Sequence, residues 1–282
     1  MRQSVRGNVT RTRCGYRSNK CERRSCEAAP PLFGLNYRVD SLLQQVTHRP
    51  WPLPAKQWAM TQTWHDLLFA HWPISEAMMR PRVPAQLTLD KFDDDCWIGV
   101  VPFHMSGIRR RGFPVVPGLS RFPELNVRTY VTHAGKAGVY FFSLDAANLA
   151  AVWAARRFYH LPYFHANMKT GECAGGIHYS ARRHRASAEF RGCYRPTADI
   201  RFAGKGSIEN WFTERYCLYT THRGHVYRGD IHHQPWPLQQ AEAEFEINTV
   251  AAAAGIHLPQ TQPLLLFARK LEVLIWPLAC AR

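Results

Sequence analysis

The sequence predicts an α+β fold dominated by antiparallel strands, and three observations point there. Segments with strand character recur at 86–92, 96–105, 123–132, 138–144, 163–169, 177–182, 187–191 and 226–232. Asp, Gly and Pro residues separate most of them, as turns between neighbouring strands require. Only a few helical segments are dispersed among them, and no repeated βαβ pattern calls for a doubly wound parallel sheet.

Residues 1–45 show neither helical nor strand periodicity and mix Arg, Ser, Asn and Cys, as a disordered leader or the product of an upstream start codon would. Residues 46–282 are then a single domain. Pro50, Pro52 and Pro54 exclude a helix where it begins, and residues 63–72 follow as a strand or short helix. Ser75 is placed to cap a short helix through Met78 and Met79 that Pro81 and Pro84 end. Asp145 is a suitable N-cap for a helix over 146–159, where Leu149, Val152, Trp153 and Arg156 recur at helical spacing before Pro162. Ser207 starts a second such helix, with Glu209 in the first turn where the helix dipole favours an acid. Pro237 opens a third over 238–254, closed by Gly255. The apolar stretch 263–276 is interrupted by Arg269, Lys270 and Glu272, too soon for a membrane span, and reads as a strand or strand pair of the core.

Hydrophobic residues at 46% and aromatics at 12% describe a globular chain, and 282 residues suffice for a large core. The formal charge is +15, but residues 1–40 hold nine basic against three acidic residues. The remaining excess is scattered, with no Lys/Arg stripe along a helix, so no nucleic-acid partner is expected. The eight cysteines form no CxxC pair and have no zinc-site spacing, consistent with free thiols in a reducing compartment. No apolar run follows the basic N-terminus, so no signal peptide is read. The expectation is a soluble cytoplasmic protein without a membrane partner, a metal or another cofactor.

The stretch 123–131 carries the chemistry. At the two-residue period of a strand, Leu125, Val127, Thr129 and Val131 point one way and Glu124, Asn126, Arg128 and Tyr130 the other. Either the strand is half-solvated, or its polar face lines a small cavity in a barrel. The apolar strand 139–144 beside it is expected to be buried on both faces. In a cavity Glu124 must be paired or protonated, since an isolated buried carboxylate is very costly. Arg128 lies roughly 13 Å further along the strand, so Arg121 or Arg109, Arg110 and Arg111 are the alternative partners. Glu124 is therefore the candidate catalytic residue. Asn126, Arg128, Tyr163 and His104 are candidate ligand-binding residues, although a solvated or core-satisfied role is the better account of His104. His232 and His233 are adjacent on a strand and point to opposite faces, which argues against a metal site there.

Longer motifs point to a family. They include Trp64-His65-Asp66-Leu67-Leu68-Phe69-Ala70-His71-Trp72-Pro73, Trp97-Ile98-Gly99-Val100-Val101-Pro102-Phe103-His104-Met105, Phe122-Pro123-Glu124-Leu125 and Leu161-Pro162-Tyr163. Thr213-Glu214-Arg215-Tyr216 and Ile231-His232-His233-Gln234-Pro235-Trp236-Pro237 continue them. Together, over roughly residues 48–278, they resemble the YqjF-like family of bacterial proteins of unknown function. That family is similar, more distantly, to acetoacetate decarboxylase. The resemblance implies a closed or nearly closed antiparallel β-barrel with a buried pocket and a few flanking helices. It places Glu124 where the decarboxylase has a pocket glutamate. It also implies that the Schiff-base chemistry is gone, because Tyr163 and Phe164 follow Leu161-Pro162 where the decarboxylase has its lysine pair. Lys169, roughly 20 Å along an extended chain, is a poor substitute. The resulting expectation is a barrel that binds a small organic carbonyl or carboxylate, with acid/base lyase or isomerase chemistry open. The alternative is a non-catalytic structural or protein-interaction member of the same fold.

Overall fold

The computed structural model describes residues 39–173 and 175–281. Its strands are β1 (Met60–Ile74), β2 (Thr88–Leu89), β3 (Cys96–Arg110), β4 (Phe122–His133), β5 (Lys136–Ala146), β6 (Tyr163–Cys173), β7 (Gly176–Arg183), β8 (Glu189–Pro196), β9 (Cys217–His222), β10 (His225–His232), β11 (Leu238–Asn248), β12 (Leu264–Ile275) and β13 (Ala279–Cys280). The helices are α1 (39–44), α2 (Glu76–Met79), α3 (Leu149–Tyr159) and α4 (Ile208–Thr213).

Hydrogen bonding runs β12-β1-β3-β4-β5-β9-β10, and a β10–β12 pairing returns the chain of strands to its start. Seven strands thus form a ring. Its last junctions are short: β10 meets β12 at Ile231↔Ile275 and His232↔Leu274, and β5 meets β9 at Val139↔Leu218 and Tyr140↔Tyr219. The ring is a nearly closed barrel, as expected, with one parallel junction, β5 with β9. Strands β6, β7, β8 and β11 leave from β5 and return to β12, covering the outside of the shared wall, while the short β2 and β13 pair with β4 and β10.

That arrangement gives the wall two cores. Leu67, Phe69, Val101, Phe103, Phe122, Ala146, Ile231, Leu266 and Val273 converge inside the ring. Leu68, Ala70, Val100, Leu125, Val127 and Phe267 pack on the other face against Tyr179, Ala181, Phe190 and Tyr194 of β7 and β8. Burial on both faces explains why β4 is not the half-solvated strand its alternation allowed.

Several expectations are corrected. The segment 238–254, rich in helix-forming Ala and Glu, is a strand over Leu238–Asn248 followed by a 3-10 turn at Ala252–Ala254. Its Ala-Glu alternation at 241–246 has the period of a strand, and tertiary pairing with β8 overrides propensity. Helix α3 is capped by Asn148, which accepts from the Ala151 amide at 3.1 Å, while Asp145 remains inside β5. The 86–92 strand shrinks to Thr88–Leu89, and 139–144 is half-buried over Tyr140–Phe142. Packing begins before residue 46. Residues 39–44 are helical, and Val39, Leu42 and Leu43 pack with Trp58, Leu274 and Trp276. Residues 1–38 of the expected leader lie outside the described residues. Ser207 does cap α4, accepting from the Asn210 amide at 3.2 Å.

Candidate functional site

Register fixes the site. Glu124 lies opposite Phe103 of β3 and Ala146 of β5, Asn126 opposite Val101 and Leu144, and Arg128 opposite Gly99 and Phe141. Directly opposed residues share a face, so the polar row of β4 lies among the apolar side chains inside the ring. Glu124, Asn126 and Arg128 are 3, 4 and 8% exposed.

Tyr163 reaches this row because α3 returns the chain for a parallel pairing, which needs such a crossover. It sets Tyr163 beside Leu144. The Tyr163 hydroxyl donates to Glu124 Oε2 at 2.6 Å. Burial pushes the Glu124 carboxyl up to about 8, the Tyr163 bond opposes that shift, and the charge of Asp145 adds to it. Burial and Glu124 together hold the Tyr163 phenol well above its ordinary value. Among the expected partners, neither Arg121 nor Arg109, Arg110 or Arg111 bonds to Glu124. From behind the wall, the Tyr179 hydroxyl donates to the carbonyls of Glu124 at 2.7 Å and Phe103 at 3.0 Å, fixing the backbone that carries the acid.

Asp145 faces that outer core. It binds Arg183 of β7 through two contacts, Nε to Oδ1 at 2.7 Å and Nη2 to Oδ2 at 3.3 Å, with side chains 1 and 6% exposed. Arg183 also lies 4.0 Å over the Phe164 ring. Burial holds the Asp145 carboxyl above its usual value against the pull of Arg183.

The other end of the row is cationic. The Arg128 guanidinium lies 5.2 Å from the Phe69 ring and 5.8 Å from the Tyr130 ring, and its Nε has no hydrogen-bond partner. His71 of β1 meets the Tyr130 hydroxyl at 2.6 Å and stacks 3.9 Å from Phe212 of α4. Burial, then Arg128, holds His71 well below its ordinary value, so it is a neutral imidazole. Asn126 Oδ1 and His71 Nδ1 have no partner. Gly99 makes room for this group: a Cβ there would sit 2.7 Å from His71 Nε2 and 3.5 Å from Arg128 Cγ. Gly99→Ala is expected to displace His71 from Tyr130 and cost about 1–3 kcal/mol, read as a lower midpoint in urea. An unchanged midpoint would mean that the imidazole is free to shift.

His104 is corrected. It lies opposite Pro123, one residue out of step with Glu124, and so points away from the row. It stacks on His65 at 4.8 Å, with Nδ1 3.8 Å from Asp66 Oδ2. Among the described residues no three His, Cys, Asp or Glu side chains cluster to hold a metal.

A profile of the family DUF2071, described as an uncharacterized conserved protein, matches residues 61–272. The chain belongs to DUF2071. The uncharacterized protein YqjF of Bacillus subtilis (strain 168) is 51% identical over 227 residues, covering 80% of this chain and 94% of YqjF. Among solved structures, acetoacetate decarboxylase from Legionella pneumophila aligns with a TM-score of 0.57 at 10% identity, over 86% of this chain and 95% of that one. An acetoacetate decarboxylase-like enzyme from Sphingomonas wittichii RW1 gives 0.53 at 12%, over 82 and 97%. The enduracididine biosynthesis enzyme MppR complexed with pyruvate gives 0.57 at 9%, over 81 and 92%. At these identities the likeness is one of fold.

In this DUF2071 chain neither of two described cavities is lined by Glu124. One of about 1410 Å³ is lined by Arg49, Trp211, Arg215 and Trp236, and one of about 590 Å³ by Tyr140, Phe142, His160 and His222. Sequence reasoning missed His71 and the Asp145–Arg183 pair. A histidine inside the apolar run Leu67–Trp72 was the available signal for the first. Asp145 was read as a cap because an acid preceding a helix usually is one.

Proposed function

We propose that this DUF2071 protein binds a small organic carbonyl or carboxylate compound inside the seven-strand ring, with Glu124 as its proton-transfer group and Tyr163 as the donor that orients it. The observation that carries this reading is a buried carboxyl, raised to about 8 and held by one phenol. An acid poised near neutrality is what proton transfer next to a carbonyl requires, as in tautomerisation, hydration or dehydration. The Tyr163 phenol has no amine with which to form an imine, so Schiff-base decarboxylation is not part of the reading. Asn126 is the next polar group along the wall, and Arg128 would hold an anion. Roughly 13 Å of strand separates Arg128 from Glu124, so a compound the size of pyruvate would engage only one of them. The fold is shared with MppR, which has been solved with pyruvate.

A second reading, a non-catalytic structural member, is favoured by one observation: neither described cavity is lined by Glu124. Thermal-shift and calorimetric titration with pyruvate and larger 2-oxo acids separates the two. A rise in midpoint with the native chain that disappears in Glu124→Gln, itself folded by far-UV circular dichroism, is the expected result. Equal shifts in both chains, or none with any oxo acid, would leave the structural reading standing.

A further inference from the structure

We propose that the face formed by loop 111–121 and the outward side of α3 docks on an anionic lipid surface. Six of the chain's large apolar side chains that remain exposed are gathered in these two segments. They are Phe113, Val116 and Leu119 in the loop, at 54, 50 and 46%, and Leu149, Trp153 and Phe158 in α3, at 63, 63 and 59%. The segments are joined. Asn148, the cap of α3, donates through Nδ2 to the Gly118 carbonyl at 3.3 Å, and the Ala147 amide bonds to the Pro123 carbonyl at 3.4 Å. Leu149 and Trp153 are four residues apart on one helical stripe, which Arg156 and Arg157 continue. Trp153 also meets Phe158 edge-on at 5.9 Å.

The charge around these side chains has one sign. Arg110, Arg111, Arg121, Arg156 and Arg157 are exposed, and no Asp or Glu occurs at 105–123 or 146–171. Four of the five lie beside aromatic rings: Arg110 is 5.1 Å from the Phe113 ring, Arg111 4.9 Å from Trp58, Arg156 5.4 Å from Phe164 and Arg157 5.7 Å from Phe158. An apolar patch whose two segments carry arginines and no acid selects its partner. A second copy meeting the same face about a two-fold axis would set arginine against arginine with no acid between them. A nucleic acid would engage the arginines but leave the protruding Leu, Val and Phe side chains in water. An anionic bilayer satisfies both parts. Its headgroup phosphates take the guanidinium forks, its interface takes tryptophan, and its acyl boundary takes the aliphatic side chains. This departs from the expectation of no membrane partner, which rested on the lack of a spanning segment. No helix among the described residues is long and apolar enough to cross a membrane, which bears on crossing a bilayer and not on resting against one.

The test is flotation of the full chain with vesicles of phosphatidylcholine alone and of equal parts phosphatidylcholine and phosphatidylglycerol. Binding is expected only with phosphatidylglycerol and should weaken as salt rises. Leu149→Ser with Trp153→Ser, and separately Arg110→Glu with Arg157→Glu, should each reduce it by roughly tenfold or more. Because these positions are exposed, the thermal midpoint and the response to pyruvate should stay those of the native chain. Failure here is therefore distinguishable from failure at Glu124. No flotation, equal flotation with both vesicles, or flotation untouched by either pair of substitutions would overturn the proposal. So would a concentration-dependent dimer that Trp153→Ser dissolves, or binding to a DNA oligonucleotide that excludes vesicles.

Discussion

Arg183→Met is expected to destabilise the fold by about 3–5 kcal/mol, because it leaves the Asp145 carboxylate buried without its counter-charge. The pair sits in the outer core, with side chains 1 and 6% exposed, so water cannot replace the lost partner. The loss should depend on pH. Burial already holds the Asp145 carboxyl above its usual value with Arg183 present, and removing the guanidinium raises it further. Below that value the acid takes up a proton and sheds its charge, so the penalty should be smaller at pH 5 than at pH 8. The double variant Asp145→Leu with Arg183→Met removes both charges and should recover most of the loss, since a buried ion pair stabilises little relative to apolar residues of similar volume. Urea unfolding of the three chains at both pH values measures this. A single-variant loss under about 1 kcal/mol, or a double variant no better than the single, would show that the pair is not dry.

That pair also marks where sequence reasoning stops. The alternation at 123–131 was enough to put Glu124, Asn126, Arg128 and Tyr130 on one face, because side-chain direction in a strand is a local property. The motifs around Leu161-Pro162-Tyr163 were enough to bring Tyr163 under suspicion. Which atoms meet is not local. The Tyr163–Glu124 bond spans 39 residues and Asp145–Arg183 spans 38, and both depend on the α3 crossover that pairs β5 with β6 in parallel. His71 meets Tyr130 across 59 residues through the β1–β3–β4 register, with a shift between His65 and Ala70 that no alternation pattern reveals. His104 failed for the same reason in reverse. Its strand was read correctly, but a one-residue difference in register puts it on the other side of the wall. The strand at 238–248 was misread because Ala and Glu favour helices in isolation, whereas pairing on both sides, with β8 and β12, decides their conformation here.

The pH dependence of stability should separate native protein from Glu124→Gln most clearly above neutrality. In the folded chain the Glu124 carboxyl keeps its proton up to about 8, whereas its ordinary value is 4.5. Between those limits the native state binds the extra proton, so stability falls as pH rises. The full difference corresponds to on the order of 5 kcal/mol, an upper limit because a charged Glu124 can recruit water or rearrange. Buried and half-buried histidines act in the opposite sense at lower pH. Burial depresses His65 and His232 to about 4 and His233 to about 3, so the unfolded chain binds more protons and stability is lost as pH falls below their ordinary 6.5. Native protein should therefore show a stability maximum near neutrality with two falling limbs. Glutamine keeps an oxygen that accepts from Tyr163 but cannot ionise, so Glu124→Gln should retain the acid limb and flatten the alkaline one. The two curves should converge near pH 5 and separate by several kcal/mol at pH 9. Parallel curves across that range would mean that Glu124 titrates normally, and the proton-transfer role assigned to it would fall with its burial.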